Sequence, residues 1–392
     1  AAMAAPVPSV EPSSTTMISS TGRVCASTDS SARSTSSRRF QVGMMAETAT
    51  SLAMLSDLVK KLLYGSGLLG LYHRLRNRRT LTVIMFHRVL DPGDPRWASC
   101  DPDYTLAADL FARCLAFFGR HYHVVGSEQV LEARRGGAPL PPRALLITFD
   151  DGWADNVEFA LPRLEAAGMP ALLFVVADAI DRRLPFYQEQ LVSAWRLGRL
   201  GTADLQRAMA AVGHAATPAP ANDNANLRRL IGELESLPRA LRESVLAALA
   251  QRLDDGHRSM VVAAELEELV QGGVAVGLHG KTHEPLPLVD DLDAELGGAR
   301  AQVAARLPAG TTPSTMSFPH GRYDMDIARR AQSAGYELVF TSVPVLNPAR
   351  PGPGWLLGRL GFETGAVADA GGGFRPDRLA LYLFRRPQRL LA

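Results

Sequence analysis

The sequence predicts an α/β fold, a parallel sheet with helices outside it. Three observations carry this. Short apolar runs at Leu145–Phe149, Ala171–Val176 and Val274–Leu278 read as strands covered on both faces. Helical patterns alternate with them at lengths that suit crossover connections. Polar groups of the kind that bind ligands follow two of the runs directly: Asp150-Asp151 after the first, and the stretch His279 to His283 after the third. In parallel sheets the carboxyl ends of strands are where ligands bind.

Composition narrows the class. The 392 residues allow one large domain or two, and 46% hydrophobic with 21% charged residues suit an ordinary globular core. A net charge of +2 gives no reason to expect a nucleic-acid partner. Cys25, Cys100 and Cys114 make no disulfide framework and no Cys-x-x-Cys pair, which fits a reducing compartment. The most apolar segment near the front, Leu62 to Tyr72, is far shorter than the ~20 residues that span a bilayer. No basic start, apolar centre and cleavage site of a secretory signal is present, so a cytoplasmic location is expected.

In chain order, residues 1–45 are rich in Ala, Ser and Thr with few acids, and are expected to be disordered. The composition is also that of a transit peptide; an extended start upstream of Met44 or Met45 is the preferred reading. Residues 46–80 form a helical lead, with Leu52, Leu55, Leu58, Val59, Leu62 and Leu63 at three- and four-residue steps and a basic complement. Such a helix can lie on an anionic membrane surface, but Gly65, Gly67 and Gly70 interrupt it. Packing on its own domain with a solvated basic face is the favoured expectation. Leu81–Phe86 reads as the first strand, residues 105–119 as a helix, Tyr122–Val125 as a strand, and Ser127–Arg135 as a helix capped by Ser127. A helix over 156–167 and the strand 171–176 follow the Asp-Asp run. Residues 186–262 break the alternation with helical patterns only, and are expected to be an insertion beside the sheet. Helices at 264–271, 293–307 and 325–334 and strands at 316–318 and 338–341 complete a domain over 81–366. The remainder, 367–392, is a Gly-rich stretch and then a helix over 379–391 of unknown partner.

The chemistry suggested by these residues is hydrolytic. Taken singly, an Asp-Asp pair is more often a turn or cap, and a His-x3-His pair more often a surface loop. Both at strand ends of one chain reverse that weighting. Asp151, His279 and His283 would make an N2O set with open positions, typical of a hydrolytic metal site. Asp150 would then act as the base, provided an irregular strand end lets neighbouring side chains share one mouth.

Thr148-Phe149-Asp150-Asp151-Gly152 and His279-Gly280-Lys281-Thr282-His283 resemble the first two motifs of the NodB-type polysaccharide deacetylases, carbohydrate esterase family 4. The resemblance runs from about Leu81 to about Phe362 and takes in Ile84–Val89 and Phe318–Asp324. It implies a distorted, incomplete (β/α) barrel and a divalent metal, most simply zinc, on Asp151, His279 and His283. It implies Asp150 as base and an oxyanion contact near Phe318, Pro319 and His320. No late Leu-x-His motif supplies the general acid. A branch resembling the biofilm poly-N-acetylglucosamine deacetylases places that histidine on the first strand, which points to His87, with His320 as rival. Ser317 stands where many members carry the arginine that orients the base, and Arg359 is the candidate to replace it.

The expected activity is removal of N-acetyl groups from an amino-sugar polymer or a lipid-linked glycan. A silent carbohydrate-binding module and an amidohydrolase acting on a small cyclic amide are the alternatives. Oligomeric state stays open.

Overall fold

The structure, a computed structural model, describes residues 56–392 apart from 219, 350–353, 363 and 370. Residues 1–45, expected to be disordered, and the first part of the helical lead lie outside the described residues. The stretch 58–392 is one compact unit.

Its centre is a sheet in which β1 (Thr80–Phe86), β5 (Ala144–Phe149), β6 (Ala171–Val175), β7 (Val274–Leu278), β8 (Thr315–Ser317) and β9 (Leu338–Phe340) run parallel in that spatial order. One stretch of chain ties the two ends together. β11 (Leu356–Leu357) pairs with β9, and three residues later β12 (Leu360–Gly361) pairs with β1, both parallel. The sheet is therefore a nearly closed barrel of parallel strands, as the resemblance implies. β10 (Asn347–Pro348) adds an antiparallel edge on β1, and β4 (His123–Val124) a short parallel one on β5. Strands β5 and β6 are buried along their whole length, as continuous apolar runs require.

Three local expectations need correction. The helix expected from residue 105 starts at Ala108, because Thr105–Ala107 is taken as β3, pairing with β2 (Arg88–Leu90). Ser127 is inside its helix rather than its cap: Gly126 holds that position, and its amide donates to the Gln129 side chain at 2.9 Å. The last helix is Pro376–Phe384 rather than 379–391. Pro387, which cannot donate to a helix, lies just past its end, and its carbonyl accepts from the Leu346 amide at 2.8 Å. That helix buries Leu379, Ala380, Leu383 and Phe384 in the main core.

The insertion folds as four helices, Tyr187–Arg196, Thr202–Ala211, Asn224–Glu235 and Arg239–Leu253. They enclose a core of their own, with Leu191, Leu205, Met209, Leu227, Leu234 and Val245 buried. Asp223 caps the third by accepting from the Asn226 amide. The lead is helical over 58–65 and again over Leu68–Arg76, broken at Ser66-Gly67, where Gly67 has φ 79°.

Candidate active site

β5 stays in register with β1 up to Phe86 opposite Phe149, and the Asp150 amide still donates to the Phe86 carbonyl at 3.0 Å. One residue later the ladder ends, because Asp151 takes φ 79°. That left-handed turn breaks the alternation of side chains along a strand, so both carboxylates face one mouth. A non-glycine residue in this conformation carries strain that its surroundings must hold in place.

Asp150 is 2% exposed and Arg359 1% exposed. The guanidinium grips the carboxylate with both arms, Nη1 to Oδ1 at 2.6 Å and Nη2 to Oδ2 at 2.7 Å. Its third donor, Nε, bonds the Thr341 carbonyl at 3.2 Å, and its plane lies over the Phe174 ring. Ser317 Oγ donates to Asp150 Oδ1 at 3.3 Å. Three of the four acceptor positions of the carboxylate are thereby filled, and the one left is on Oδ2, the oxygen 4.0 Å from His279 Nε2. Burial alone would raise the carboxyl pKa, but Arg359 and His279 outweigh it and hold Asp150 below the ordinary range.

Asp151, His279 and His283 bring one ligand atom each to within 4.8 Å of one another, the group among the described residues able to hold a metal ion. His279 Nδ1 lies 3.0 Å from the Ser317 carbonyl, which can only accept, so its ring proton is assigned there. Burial pushes this imidazole down to about 4, so it is neutral at pH 7. Its Nε2 lone pair then faces Asp151 Oδ1 at 3.4 Å, while His283 Nε2 lies 3.2 Å from the same oxygen. Acceptor facing acceptor is repulsive unless a cation stands between them, and two imidazoles with a carboxylate suit a zinc-like ion. The donor set fits a metal. Burial acts to raise Asp151 too, but the histidines, His283 first, pull it far below the ordinary carboxylate range.

Surrounding residues fix this geometry. Trp153 Nε1 donates to Asp151 Oδ2 at 2.9 Å, leaving Oδ1 for the histidines. The Trp153 ring lies under the Arg88 guanidinium, which in turn is paired at 2.8 Å with fully buried Asp155. Glu295 is buried behind the histidine turn and accepts from the Lys281 and Thr282 amides and the Thr282 hydroxyl, at 2.6, 3.2 and 2.6 Å. Gly277 leaves room for Thr315 and Phe174, whose atoms would lie 2.5 and 2.6 Å from a Cβ there. Phe186, at the start of the insertion, stacks on His283 with ring centres 3.9 Å apart. None of Trp153, Arg88, Asp155, Glu295 or Phe186 was singled out from sequence. Trp153 alone had a local signal, two residues past Asp151.

The remaining candidates fall around this centre. His87 follows β1, with its ring 4.9 Å from that of Tyr104, close enough for its charge to depress both carboxylates. Phe318 spends its amide on the Phe340 carbonyl at 3.3 Å, and Pro319 has none to give. His320, at φ 57°, lies 3.0 Å by Nε2 from the His283 carbonyl and 3.7 Å by Nδ1 from Glu235 of the insertion. Two cavities flank the centre. One of about 460 Å³ includes His87, Tyr104, Arg359 and Phe362; another of about 490 Å³ includes Pro185, Phe186, His283 and Glu284.

Residues 137–217 match the family model for polysaccharide deacetylase. That stretch is similar to the polysaccharide deacetylase family. Over 60 residues the chain is 40% identical to the poly-beta-1,6-N-acetyl-D-glucosamine N-deacetylase of Escherichia coli K12, and equally to that of strain O157:H7. The match takes 15% of this chain and only 9% of those relatives' length. Among solved structures, a deacetylase from Streptococcus pyogenes in complex with acetate is 14% identical, with 78% of this chain and 98% of that one covered at a TM-score of 0.49. IcaB from Ammonifex degensii is 18% identical, with 78% and 97% covered, also at 0.49. The first motif, Asp150 and Asp151 included, lies inside the matched residues 137–217, while the histidine turn, Arg359 and most of the insertion lie outside them.

Proposed function

We propose that the deacetylase domain hydrolyses N-acetyl groups on an amino-sugar polymer of the N-acetylglucosamine type. The observation that carries this is one carboxylate immobilised by Arg359 beside a three-residue metal-ligand set at the same barrel mouth. Asp151, His279 and His283 would hold the ion, for which zinc is the simplest candidate. A bound divalent ion supplies Lewis acidity, polarising the acetyl carbonyl and lowering the pKa of water.

This chain's own residues supply the rest. As water adds to the acetyl carbon, its proton passes to the open acceptor position on Asp150 Oδ2. Arg359 and Ser317 keep that carboxylate ionised and aimed. The C–N bond then breaks, and the leaving amine takes a proton from His87, giving acetate and a free amino sugar. With the Phe318 amide engaged and Pro319 lacking one, the His320 backbone amide is the donor proposed for the developing oxyanion. His320 itself is the weaker choice of acid, because burial lowers its pKa and leaves it unprotonated at neutral pH. One cavity reaches the centre at His87 and Arg359 and another at His283 and Phe186, which suits a chain that continues past the reacting sugar and so favours a polymer over a small cyclic amide.

The test is acetate release from poly-N-acetylglucosamine and chitooligosaccharides by protein stripped of metal and then reloaded. Metal-dependent release, abolished in Asp150→Asn with metal content unchanged, is the expected result. No release by metal-loaded protein on either substrate would overturn the reading and leave a sugar-binding module or a small-amide hydrolase.

A further inference from the structure

The helices ahead of β1 are apolar on two sides. In Leu68–Arg76, Leu69 and His73 turn inward, with the His73 ring stacked 4.0 Å from Phe384. Beside exposed Arg74 on the outward side runs an apolar stripe. It is Leu68, Leu71, Tyr72 and Leu75, at i, i+3, i+4 and i+7, and it is exposed, at 57% for Leu68 and 73% for Leu75. The preceding turns behave alike: Tyr64 packs on Phe117, while Leu58 and Leu62 face out, the latter 61% exposed. A run of large exposed apolar side chains on adjoining helices marks an interaction surface rather than ordinary scatter.

The charge around these leucines identifies what covers them. Between residues 58 and 79 the chain carries Lys60, Lys61, Arg74, Arg76, Arg78 and Arg79 and no acidic residue. Arg120 and Arg143 add to the same field, since with Arg74 they act together on His121. A second copy docked here would bring two such positive surfaces face to face, which costs several kcal/mol. An anionic lipid surface takes both components, leucines into the acyl boundary and cations among the headgroups. No helix among the described residues is long and apolar enough to cross a membrane.

We infer that the helices over 58–76 form a docking face for the surface of an anionic lipid bilayer. The face adjoins Arg78 and Arg79, which lead into the amino end of β1, the end away from Asp150. Docking there leaves the barrel mouth open to a polymer in solution.

The test is co-sedimentation of the full chain with vesicles of phosphatidylcholine alone and of phosphatidylcholine with phosphatidylglycerol, alongside light scattering for solution mass. Binding is expected only to the anionic vesicles and to weaken with salt. Arg74→Glu/Arg78→Glu should weaken it by about fivefold or more per charge. Leu71→Glu/Leu75→Glu should abolish it. Both pairs are exposed, so thermal unfolding and acetate release from soluble chitooligosaccharides should match the parent protein, which separates this inference from the proposed reaction. Absence of binding to anionic vesicles, or equal binding to neutral ones, would overturn it. So would a dimer that becomes monomeric in Leu71→Glu/Leu75→Glu without any vesicle binding.

Discussion

Replacing Arg359 with Gln is the sharpest perturbation available, because it separates what the guanidinium does for stability from what it does for chemistry. Both groups are almost wholly buried, and the pair is bidentate at 2.6 and 2.7 Å. Removing one partner of a buried pair typically costs about 3–5 kcal/mol, because the other charge is left without compensation. Here the carboxylate can escape by taking up a proton. Burial is the largest influence on Asp150 and acts to raise its pKa, so without Arg359 that pKa moves above the unfolded value. The sign follows. A carboxyl with a raised folded pKa stabilises the fold at low pH and loses that contribution as pH rises through the new value. Arg359→Gln should therefore lose the full ~3–5 kcal/mol at pH 8 and clearly less at pH 5. Arg359→Gln/Asp150→Asn, with no buried charge left, should recover at least about 2 kcal/mol of the sum of the single losses.

Urea unfolding at the two pH values measures this cycle, and pH–rate profiles of acetate release measure the chemistry. In Arg359→Gln the acid limb of kcat should move to higher pH, since Asp150, the proposed base, must first lose its new proton. A freed carboxylate should lower kcat by about 10²-fold with KM little changed. A coupling energy below about 0.5 kcal/mol, or an acid limb that stays in place, would refute the assignment of Arg359 as the group that charges and aims Asp150.

The other expectations concern residues around this pair. Gly358→Ala places a Cβ 2.5 Å from the Val343 carbonyl and 2.4 Å from Val345 Cγ2, so the closing strand must shift; a loss of about 1–3 kcal/mol is expected in urea, together with an acid limb displaced as in Arg359→Gln. His73 is fully buried against Phe384, and burial lowers its pKa from 6.5 to about 3. Its contribution is intact above pH 6.5 and is lost as pH falls towards 3, where only the unfolded chain takes up the proton; by linkage the loss reaches about 5 kcal/mol, and His73→Phe should remove most of that dependence from unfolding curves. Parallel acid destabilisation in both proteins would exclude His73 as its source. His87→Asn should lower kcat by about 10²-fold or more with bound metal unchanged; full activity in that variant would transfer the acid role elsewhere.

Much of this site was legible because its signals are local. Apolar runs that end in Asp150-Asp151 and in His279 mark strand ends without any knowledge of the fold, and so do the helices between them. What the chain hides is whatever depends on distant segments meeting. Glu295 holds the histidine turn through three hydrogen bonds, yet in sequence it is one more acid on a helix. The lead helix shows leucines at three- and four-residue steps all round, and only the position of Phe384 decides which arc is covered. Ser317 replaces the expected arginine, and its partner comes from 209 residues beyond Asp150.

That last separation has a physical consequence. The stretch 356–361 pairs with β9 through Leu357 and with β1 through Leu360, and Arg359 lies between those two pairings. Closing the barrel and seating the guanidinium on Asp150 are thus the same event. Until both edges are paired, Arg359 has no reason to enter the core, and Asp150 has no partner to keep it charged. The proposed base is therefore set only in the fully closed barrel, so perturbations at the seam, Gly358 first among them, should weaken fold and chemistry in proportion. Changes inside the separately cored insertion should instead act through Phe186 and Glu235 on the substrate side.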